Sequence, residues 1–261
     1  MTVPKVQTIK RGSSRFYVDP STDEKVPGVT SILGEINKSF LQFWAAKLVA
    51  EFAVDNFSAY SSLVMNGQRE AAVEVLKGAP RRYTKERADI GSEAHDLFER
   101  IAIGEDIGQV HSDLQPYVDH FNQFLSDFRP QFLMNEETVW SAEHRYAGSF
   151  DAIAEIAGDI VVLDYKTSKA VYEDTALQLA AYKNADFVLR PDGSKVPLPE
   201  VTHGAVVHIT PEGYSVVPMR VDDDVFGHFL ALRYGPFEWS ADVKKTVKGR
   251  PLAPIFGDDD E

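Results

Sequence analysis

The first half of the chain carries apolar residues at a spacing of three to four positions, which is typical of amphipathic helices. Leu41, Trp44 and Leu48 illustrate this spacing. The predicted helices cover Lys38–Phe57, further turns up to about Gly104 that are interrupted near Gly67 and at Gly78-Ala79-Pro80, and Ser112–Phe128. Ahead of these helices, a short hairpin is predicted from strands Arg15–Val18 and Glu24–Val26.

The pattern changes after Asn135, where β-type runs replace most of the helical spacing. Strands are predicted at Thr138–Trp140, Ser149–Ile156, Ile160–Thr167, Val201–Ile209 and Tyr214–Val221, with helices at Thr175–Leu189 and Asp222–Tyr234. This order predicts an α/β protein with a mixed β-sheet core flanked by helices. We expect a mainly helical region, residues 1–130, and a core region, residues 131–261, that together form one compact unit.

The composition is sufficient for a hydrophobic core, and it excludes several classes of functional site. Of the 261 residues, 44% are hydrophobic and 26% are charged, which is a globular profile. The chain has no cysteine, which excludes disulfides, thiolate zinc sites and iron–sulfur clusters. No apolar run approaches the roughly 20 residues of a membrane helix, and the N-terminus lacks the layout of a secretory signal. We therefore expect a soluble intracellular protein without a membrane partner.

The net charge argues against non-specific binding to nucleic acid. Lysine and arginine number 27 and acidic residues number 40, so the formal charge is −13. Four negative charges lie in the tail Asp258-Asp259-Asp260-Glu261, and the remainder are distributed along the chain. Since phosphate binding favours a basic face, any site for a polyanion must be a local patch or must use metal ions to cancel charge.

One predicted hairpin brings charged residues together on a sheet face. Gly158-Asp159 fits a two-residue turn between two β-type runs, which would pair Ala157 with Ile160. In that register Asp151 lies opposite Lys166, and Asp164 lies two residues from Lys166 on the same face. The three side chains are therefore predicted to converge.

Two carboxylates and an ammonium at the end of an apolar strand call for a chemical explanation. Without a cation the carboxylates repel each other, whereas Mg²⁺ or Mn²⁺ accepts hard oxygen ligands and commonly binds phosphate. The lysine would then supply a fixed positive charge beside a metal-activated water. For a bare Asp-x-Lys, the simpler interpretation is a surface hairpin with a Lys–Asp salt bridge.

The ordered motifs resemble the PD-(D/E)xK nucleases, and more narrowly their RecB-type exonuclease branch. The matching elements are Gly148 to Asp151, Asp164 to Thr167, the Gln-x-x-x-Tyr pair Gln178 and Tyr182, and an upstream helical histidine, His95. Val29-Thr30-Ser31-Ile32-Leu33 followed by Trp44-Ala45-Ala46-Lys47 is similar to bacteriophage members of this group. The resemblance implies a restriction-endonuclease-like fold. Unlike several members of the branch, this chain has no cysteines for an iron–sulfur cluster.

The resemblance also implies roles for individual residues. His95, Asp151, Asp164 and the carbonyl of Tyr165 would hold Mg²⁺ or Mn²⁺, and Lys166 would position or help deprotonate the attacking water. Gln178 and Tyr182 would hold phosphate or support the lysine; a polar helix face with a packed tyrosine is the alternative. From its spacing, Glu99 is expected to orient His95, and Glu137 is a candidate outer ligand.

The implied function is a metal-dependent DNA exonuclease that acts in recombination, repair or phage DNA processing. Its partners would be DNA, at free ends, and a single-strand annealing protein, in the cytoplasm of a bacterium or phage-infected host. Arg81, Arg82, Lys85 and Arg87 are candidates for guiding the strand, although such runs usually form a solvated face. The alternatives are a non-catalytic DNA-binding recombination accessory protein with the same fold, and a metal hydrolase of another phosphate ester.

Overall fold

The structure is a computed structural model, and it describes residues 4–247. The acidic tail, 258–261, lies outside the described residues. The chain forms a mixed α/β fold with three sheets in the described part. Within that part, no helix combines the length and the apolar character needed to cross a membrane.

The N-terminal region contains a small antiparallel sheet as well as helices. Its strands are β1 (Thr8–Arg11), β2 (Ser14–Val18) and β3 (Lys25–Pro27), in the order β1-β2-β3. The hairpin predicted from residues 15–26 corresponds to β2 and β3, and β1 was not predicted. The helices that follow are α1 (Val29–Leu33), α2 (Phe40–Asp55), α3 (Phe57–Met65), α4 (Arg69–Lys77), α5 (Ala79–Ala102) and α6 (Gln115–Phe128).

The core region contains two further sheets. Its elements are β4 (Gln131–Asn135), β5 (Thr138–Ser141), β6 (Tyr146–Ser149), β7 (Ala152–Ile156), β8 (Asp159–Lys166), α7 (Asp174–Lys183), β9 (Phe187–Leu189), β10 (Lys195–Val196), β11 (His203–Thr210), β12 (Gly213–Met219) and α8 (Asp223–Leu232). A π-helical turn at Arg233–Phe237, α9 (Glu238–Ala241) and a 3-10 turn at Val243–Lys245 follow α8. The central sheet has the order β12-β11-β8-β7-β4, and a smaller sheet has the order β10-β9-β5-β6.

Helices cover both faces of the central sheet. On one face Ile153 and Val162 pack with residues of α1, α7 and α8, including Leu179 and Phe229. On the other face Leu163 and its neighbours pack against α5 and α6. The strand alternation that separates these two cores also separates the side chains of Asp164 and Tyr165, which is decisive for the site.

The turn between β7 and β8 differs from the sequence prediction. Ala157 and Gly158, with φ of +53° and +93°, form the turn, and Ile156 pairs with Asp159. Two positive φ values are the signature of a type I′ turn, which matches the strand twist. The register is therefore displaced by two residues, and the predicted pairing of Asp151 with Lys166 is wrong. Because the shift is even, the predicted sheet face is unchanged.

Two predicted elements are divided in the structure. The strand expected at 149–156 is interrupted at Phe150 and Asp151, so that β6 joins the smaller sheet and β7 joins the central one. The helix expected at 175–189 ends at Lys183, and β9 then pairs with β5. Both differences arise from pairing between distant strands, which overrides local periodicity.

Helices α2 and α3 expose most of their apolar surface. Neither contains a buried residue, and Phe43 and Met65 are 79% and 84% exposed. Trp44 contacts the ring of Tyr83 edge-on, and the guanidinium of Arg82 lies over Phe52, so that these side chains link α2 to α5. The helical spacing of these residues thus reflects local contacts between helices rather than burial in the core.

Candidate functional site

Three neighbouring strands of the central sheet have ends at the same edge of the sheet, and the candidate site lies there. β4 ends just before Glu136, β7 begins just after Asp151, and β8 ends at Lys166. Because β7 runs antiparallel to both β4 and β8, these three ends lie side by side. Helix α5 brings His95 to this edge from one face of the sheet, and α7 brings Gln178 from the other.

Two glycines allow the helices to approach the strands closely. A Cβ atom at Gly148 would lie 2.6 Å from Cε1 of Tyr182, and one at Gly91 would lie 3.0 Å from Oγ1 of Thr167. Any larger residue at position 148 would displace the tyrosine ring. The glycine that opens the Gly-x-x-Asp motif therefore has a packing reason, since it seats Tyr182 beside the strand that leads to Asp151.

Asp151 is held by backbone and side-chain contacts. Its Oδ2 accepts a hydrogen bond of 2.6 Å from the backbone N–H of Tyr165, and its carbonyl accepts one of 2.9 Å from the N–H of Glu136. Nδ1 of His95 lies 3.4 Å from Oδ1. Burial alone would raise the pKa of Asp151, but the charges of His95 and Lys166 lower it below its usual value.

Asp164 lies at the same level of the sheet and contacts different partners. Its Oδ1 accepts a hydrogen bond of 2.9 Å from Nε2 of Gln178, and its Oδ2 forms an ion pair with Nζ of Lys166. Nε2 of Gln178 also donates to the hydroxyl of Tyr182 at 3.0 Å. The Gln-x-x-x-Tyr pair thus orients the Asp164 carboxylate directly.

The two acids have opposite pKa shifts. Burial, followed by the nearby Asp151 charge, raises the pKa of Asp164 despite the opposing effect of Lys166. Burial lowers the pKa of Lys166, but the Asp164 and Asp151 carboxylates outweigh it and raise the pKa overall. The lysine is therefore a stable positive charge, and the pair of carboxylates carries more negative charge than one lysine balances.

A glutamate that the sequence analysis did not select lies in the site. Donor atoms of His95, Glu136 and Asp151 all lie within 4.8 Å of one another. Glu136 is buried and has a φ of +51° in the turn between β4 and β5. The sequence signal was the pair Glu136-Glu137, and nothing in the pattern distinguished the two residues.

The residue expected as an outer ligand lies elsewhere. The carboxylate of Glu137 lies 3.8 Å from Nε of Arg190, and only its backbone carbonyl faces the site strands, where it accepts from Phe150 N–H at 3.2 Å. The left-handed turn at Glu136 decides which of the two side chains points toward Asp151, and it is that of Glu136.

Glu99 does not contact His95 as expected from their spacing. Its carboxylate pairs with Nζ of Lys5 at 3.0 Å, and no hydrogen bond joins it to the imidazole in the described part of the chain. Lys5 also donates to the carbonyl of Asn135 at 3.2 Å. The glutamate therefore ties the N-terminal segment to α5 and β4.

The four basic candidates on α5 are all exposed, but two of them have structural contacts. Arg82 donates to the carbonyl of Val75 at 2.7 Å besides covering the Phe52 ring. Arg87 lies over the ring of Tyr83. These contacts give the arginines a packing role on the helices, while Arg81 and Lys85 remain solvent-facing.

The donor set fits a hard divalent cation. It combines carboxylates with an imidazole whose buried Nδ1 has no hydrogen-bond partner among residues 4–247. Carboxylate oxygens and one imidazole suit Mg²⁺ or Mn²⁺, which also neutralise the excess of negative charge described above. The predicted ligands His95, Asp151 and Asp164, together with Lys166, Gln178 and Tyr182, all lie at this edge of the sheet.

A cleft of about 440 Å³ leads to the site from the side of α7. Its walls include apolar residues of the segment that joins α1 and α2, and Gln178 lines it. Lys38 and Asp174 also line this cleft and form an ion pair of 2.7 Å. The cleft thus joins a surface lysine to the residue that orients Asp164.

In comparisons with known proteins, no family model matches the chain, and no curated protein matches it. The family that the motifs resemble therefore remains a prediction, which depends on the residues and their geometry.

Proposed function

We propose that this protein is a divalent-metal-dependent deoxyribonuclease of the PD-(D/E)xK type, with a restriction-endonuclease-like core and exonuclease action at free DNA ends. The observation that carries the proposal is the Asp164 carboxylate, which contacts Lys166 and Gln178 and is electrostatically linked to Asp151. The motif resemblance requires these groups to act on one reacting phosphate, and their convergence at one sheet edge supports it.

Each side chain has a definable task in phosphodiester hydrolysis. The cation, when bound by the carboxylates and His95, supplies charge neutralisation for the phosphate and lowers the pKa of an attacking water. Lys166 holds a positive charge where negative charge develops on the phosphate. Gln178, fixed between Asp164 and Tyr182, keeps the carboxylate in one orientation. Such fixed orientation reduces the reorganisation needed during reaction.

The net charge is compatible with this substrate. A chain of charge −13 has no general attraction for DNA, so binding must depend on local features. The cation would cancel the carboxylate charge at the reacting phosphate, and Lys38 would provide a positive contact along the cleft. The DNA phosphates would therefore bind mainly beside the cation and Lys38.

The test compares cleavage of linear DNA by the wild type and two pairs of variants, with Mg²⁺ or Mn²⁺. Asp164→Ala is matched by Asp159→Ala, an exposed acid at the other end of β8, and Lys166→Ala by Lys169→Ala. We expect the first member of each pair to lose activity by about a hundredfold or more. The control variants should retain it.

Equal activity in all variants would contradict the proposal. DNA binding without cleavage in either metal would favour the non-catalytic accessory protein instead. A circular substrate, compared with the same DNA after linearisation, distinguishes exonuclease from endonuclease action, since only the linear form offers free ends.

A further inference from the structure

Glu136, which the motif resemblance does not include, forms a cluster with two of the motif residues, His95 and Asp151. Their ligand atoms lie within 4.8 Å of one another, which is close to the separation of donors that share one cation. His95 comes from α5, Glu136 from the turn after β4, and Asp151 from the segment before β7. Three separate elements therefore direct metal-binding groups at one point.

A second observation points to a ligand at the same place. The hydroxyl of Tyr165 is buried, with the whole residue only 2% exposed, and no described residue forms a hydrogen bond with it. Its ring contacts the His95 ring edge-on, with centroids 6.1 Å apart. A buried polar atom without a protein partner calls for one from a bound group or water.

The backbone at Glu136 is consistent with a site that orients this side chain. A non-glycine residue with φ of +51° is disfavoured, because its Cβ crowds the following carbonyl oxygen. Its N–H donates to the carbonyl of Asp151 at 2.9 Å, which links the turn to the adjacent ligand. The turn thus directs the carboxylate inward, while the next residue, Glu137, turns toward Arg190.

We infer that Glu136 is a protein ligand of the divalent cation, together with His95 and Asp151. The inference deepens the proposed function and depends on it for the identity of the cation, Mg²⁺ or Mn²⁺. Glu136 would then add one more protein ligand on the α5 side, while Lys166 and Gln178 contact Asp164 from the α7 side.

The experiment measures Mn²⁺ binding by isothermal titration calorimetry, with no DNA present. Glu136→Gln is compared with Glu137→Gln, which makes the same chemical change one residue later. Since even outer-shell substitutions weaken metal sites by 10–100-fold, we expect Glu136→Gln to lower the Mn²⁺ affinity at least about tenfold. Glu137→Gln should bind as the wild type does.

A second measurement, thermal melting, distinguishes the loss of a metal ligand from misfolding of the variant. Both variants are melted without metal and with excess Mn²⁺, because bound metal stabilises only the folded state. Glu136→Gln should melt cooperatively without metal. Excess Mn²⁺ should raise its melting temperature less than it raises that of Glu137→Gln. Equal Mn²⁺ affinity in the two variants would overturn the inference.

The outcomes also separate this inference from the proposed function. A wild type that cleaves DNA, with equal Mn²⁺ affinity in both variants, would remove Glu136 from the site and leave the nuclease proposal intact. A wild type that binds Mn²⁺ through Glu136 and cleaves no DNA would keep Glu136 as a ligand and contradict the nuclease proposal.

Discussion

Under the proposed function, Lys38 would contact the DNA backbone before the strand reaches Asp164 and Lys166. It lines the cleft that Gln178 also lines, and its present partner is Asp174, 2.7 Å away. Asp174 also lies close enough to Lys166 to raise the pKa of that lysine. A phosphate entering the cleft would therefore compete with Asp174 for Lys38.

We expect Lys38→Ala to raise the KM for DNA severalfold while kcat changes less, since a phosphate contact along the path contributes to binding rather than to the reaction. The slope of the logarithm of the DNA-binding constant against the logarithm of the salt concentration should also decrease in magnitude by about one. Steady-state kinetics at several salt concentrations measures both effects.

Lys47→Ala is the matched control, because Lys47 lies on α2 and is exposed, paired only with Glu51 one turn away in the described part of the chain. If both lysine variants show the same KM and the same salt dependence, Lys38 has no part in binding the strand.

At the scale of elements, the β7–β8 hairpin contains Asp164 and directly follows Asp151, and its turn sets the register of the two strands. Ala157 has a φ of +53°, a conformation that costs an alanine roughly 1 kcal/mol and that asparagine tolerates better. Ala157→Asn would create the Asn-Gly pair typical of this turn. We expect it to raise the free energy of unfolding by about 0.5–1 kcal/mol and to leave activity unchanged.

Urea unfolding measures the effect of that substitution. In the register predicted from the sequence, residue 157 would be a strand position, where asparagine is unfavourable. Loss of stability in Ala157→Asn would therefore support the predicted register against the one in the structure. The variant thus tests the pairing that aligns Asp151 with Asp164.

Motif order was sufficient to predict which side chains converge at this sheet edge, because they lie at the ends of neighbouring strands. An even register error left the paired residues of β7 and β8 on the predicted sheet faces. Glu136 was not predicted, since its selection over Glu137 depends on one left-handed residue in a turn. The role assigned to Glu99 failed because its partner, Lys5, is distant in sequence.

The elements show the same division between local and distant causes. Helices α5 and α6 follow from their own apolar spacing, and the structure confirms them within a few residues. Strand β9 was not predicted, because its three residues extend only by pairing with β5 and β10. Local patterns thus predicted the elements that have their own amphipathic face, and failed where a distant strand supplies the hydrogen bonds.

For the whole molecule, the two cores on either side of the central sheet share a sensitivity to alkaline pH. Tyr146 and Tyr182 lie in one core and Tyr165 in the other, and burial is the main cause that raises the pKa of each. A tyrosine whose pKa is higher in the folded state stabilises the fold fully below the unfolded pKa of about 10. That stability is lost as the pH rises above this value.

At about pH 11 the unfolded state gains roughly 1.4 kcal/mol from ionisation of each such tyrosine, while the folded state keeps it neutral. Tyr146→Phe removes the ionisation free energy of one such tyrosine. It also removes the hydrogen bond of 2.8 Å from that hydroxyl to the carbonyl of Ala181. Losing the bond should cost about 1 kcal/mol at pH 8. The variant should then lose about 1.4 kcal/mol less than the wild type between pH 8 and pH 11.

Urea unfolding at the two pH values measures this difference, and Tyr172→Phe, at an exposed tyrosine, serves as the control. Repulsion within the acidic chain also grows at high pH, but it is the same for all three proteins, so the difference between variants isolates the buried hydroxyl. An equal loss of stability in Tyr146→Phe and wild type would mean that the Tyr146 hydroxyl ionises as readily in the fold as outside it. Its burial beneath α8 would then be wrong, and with it the packing of α7 in the same core.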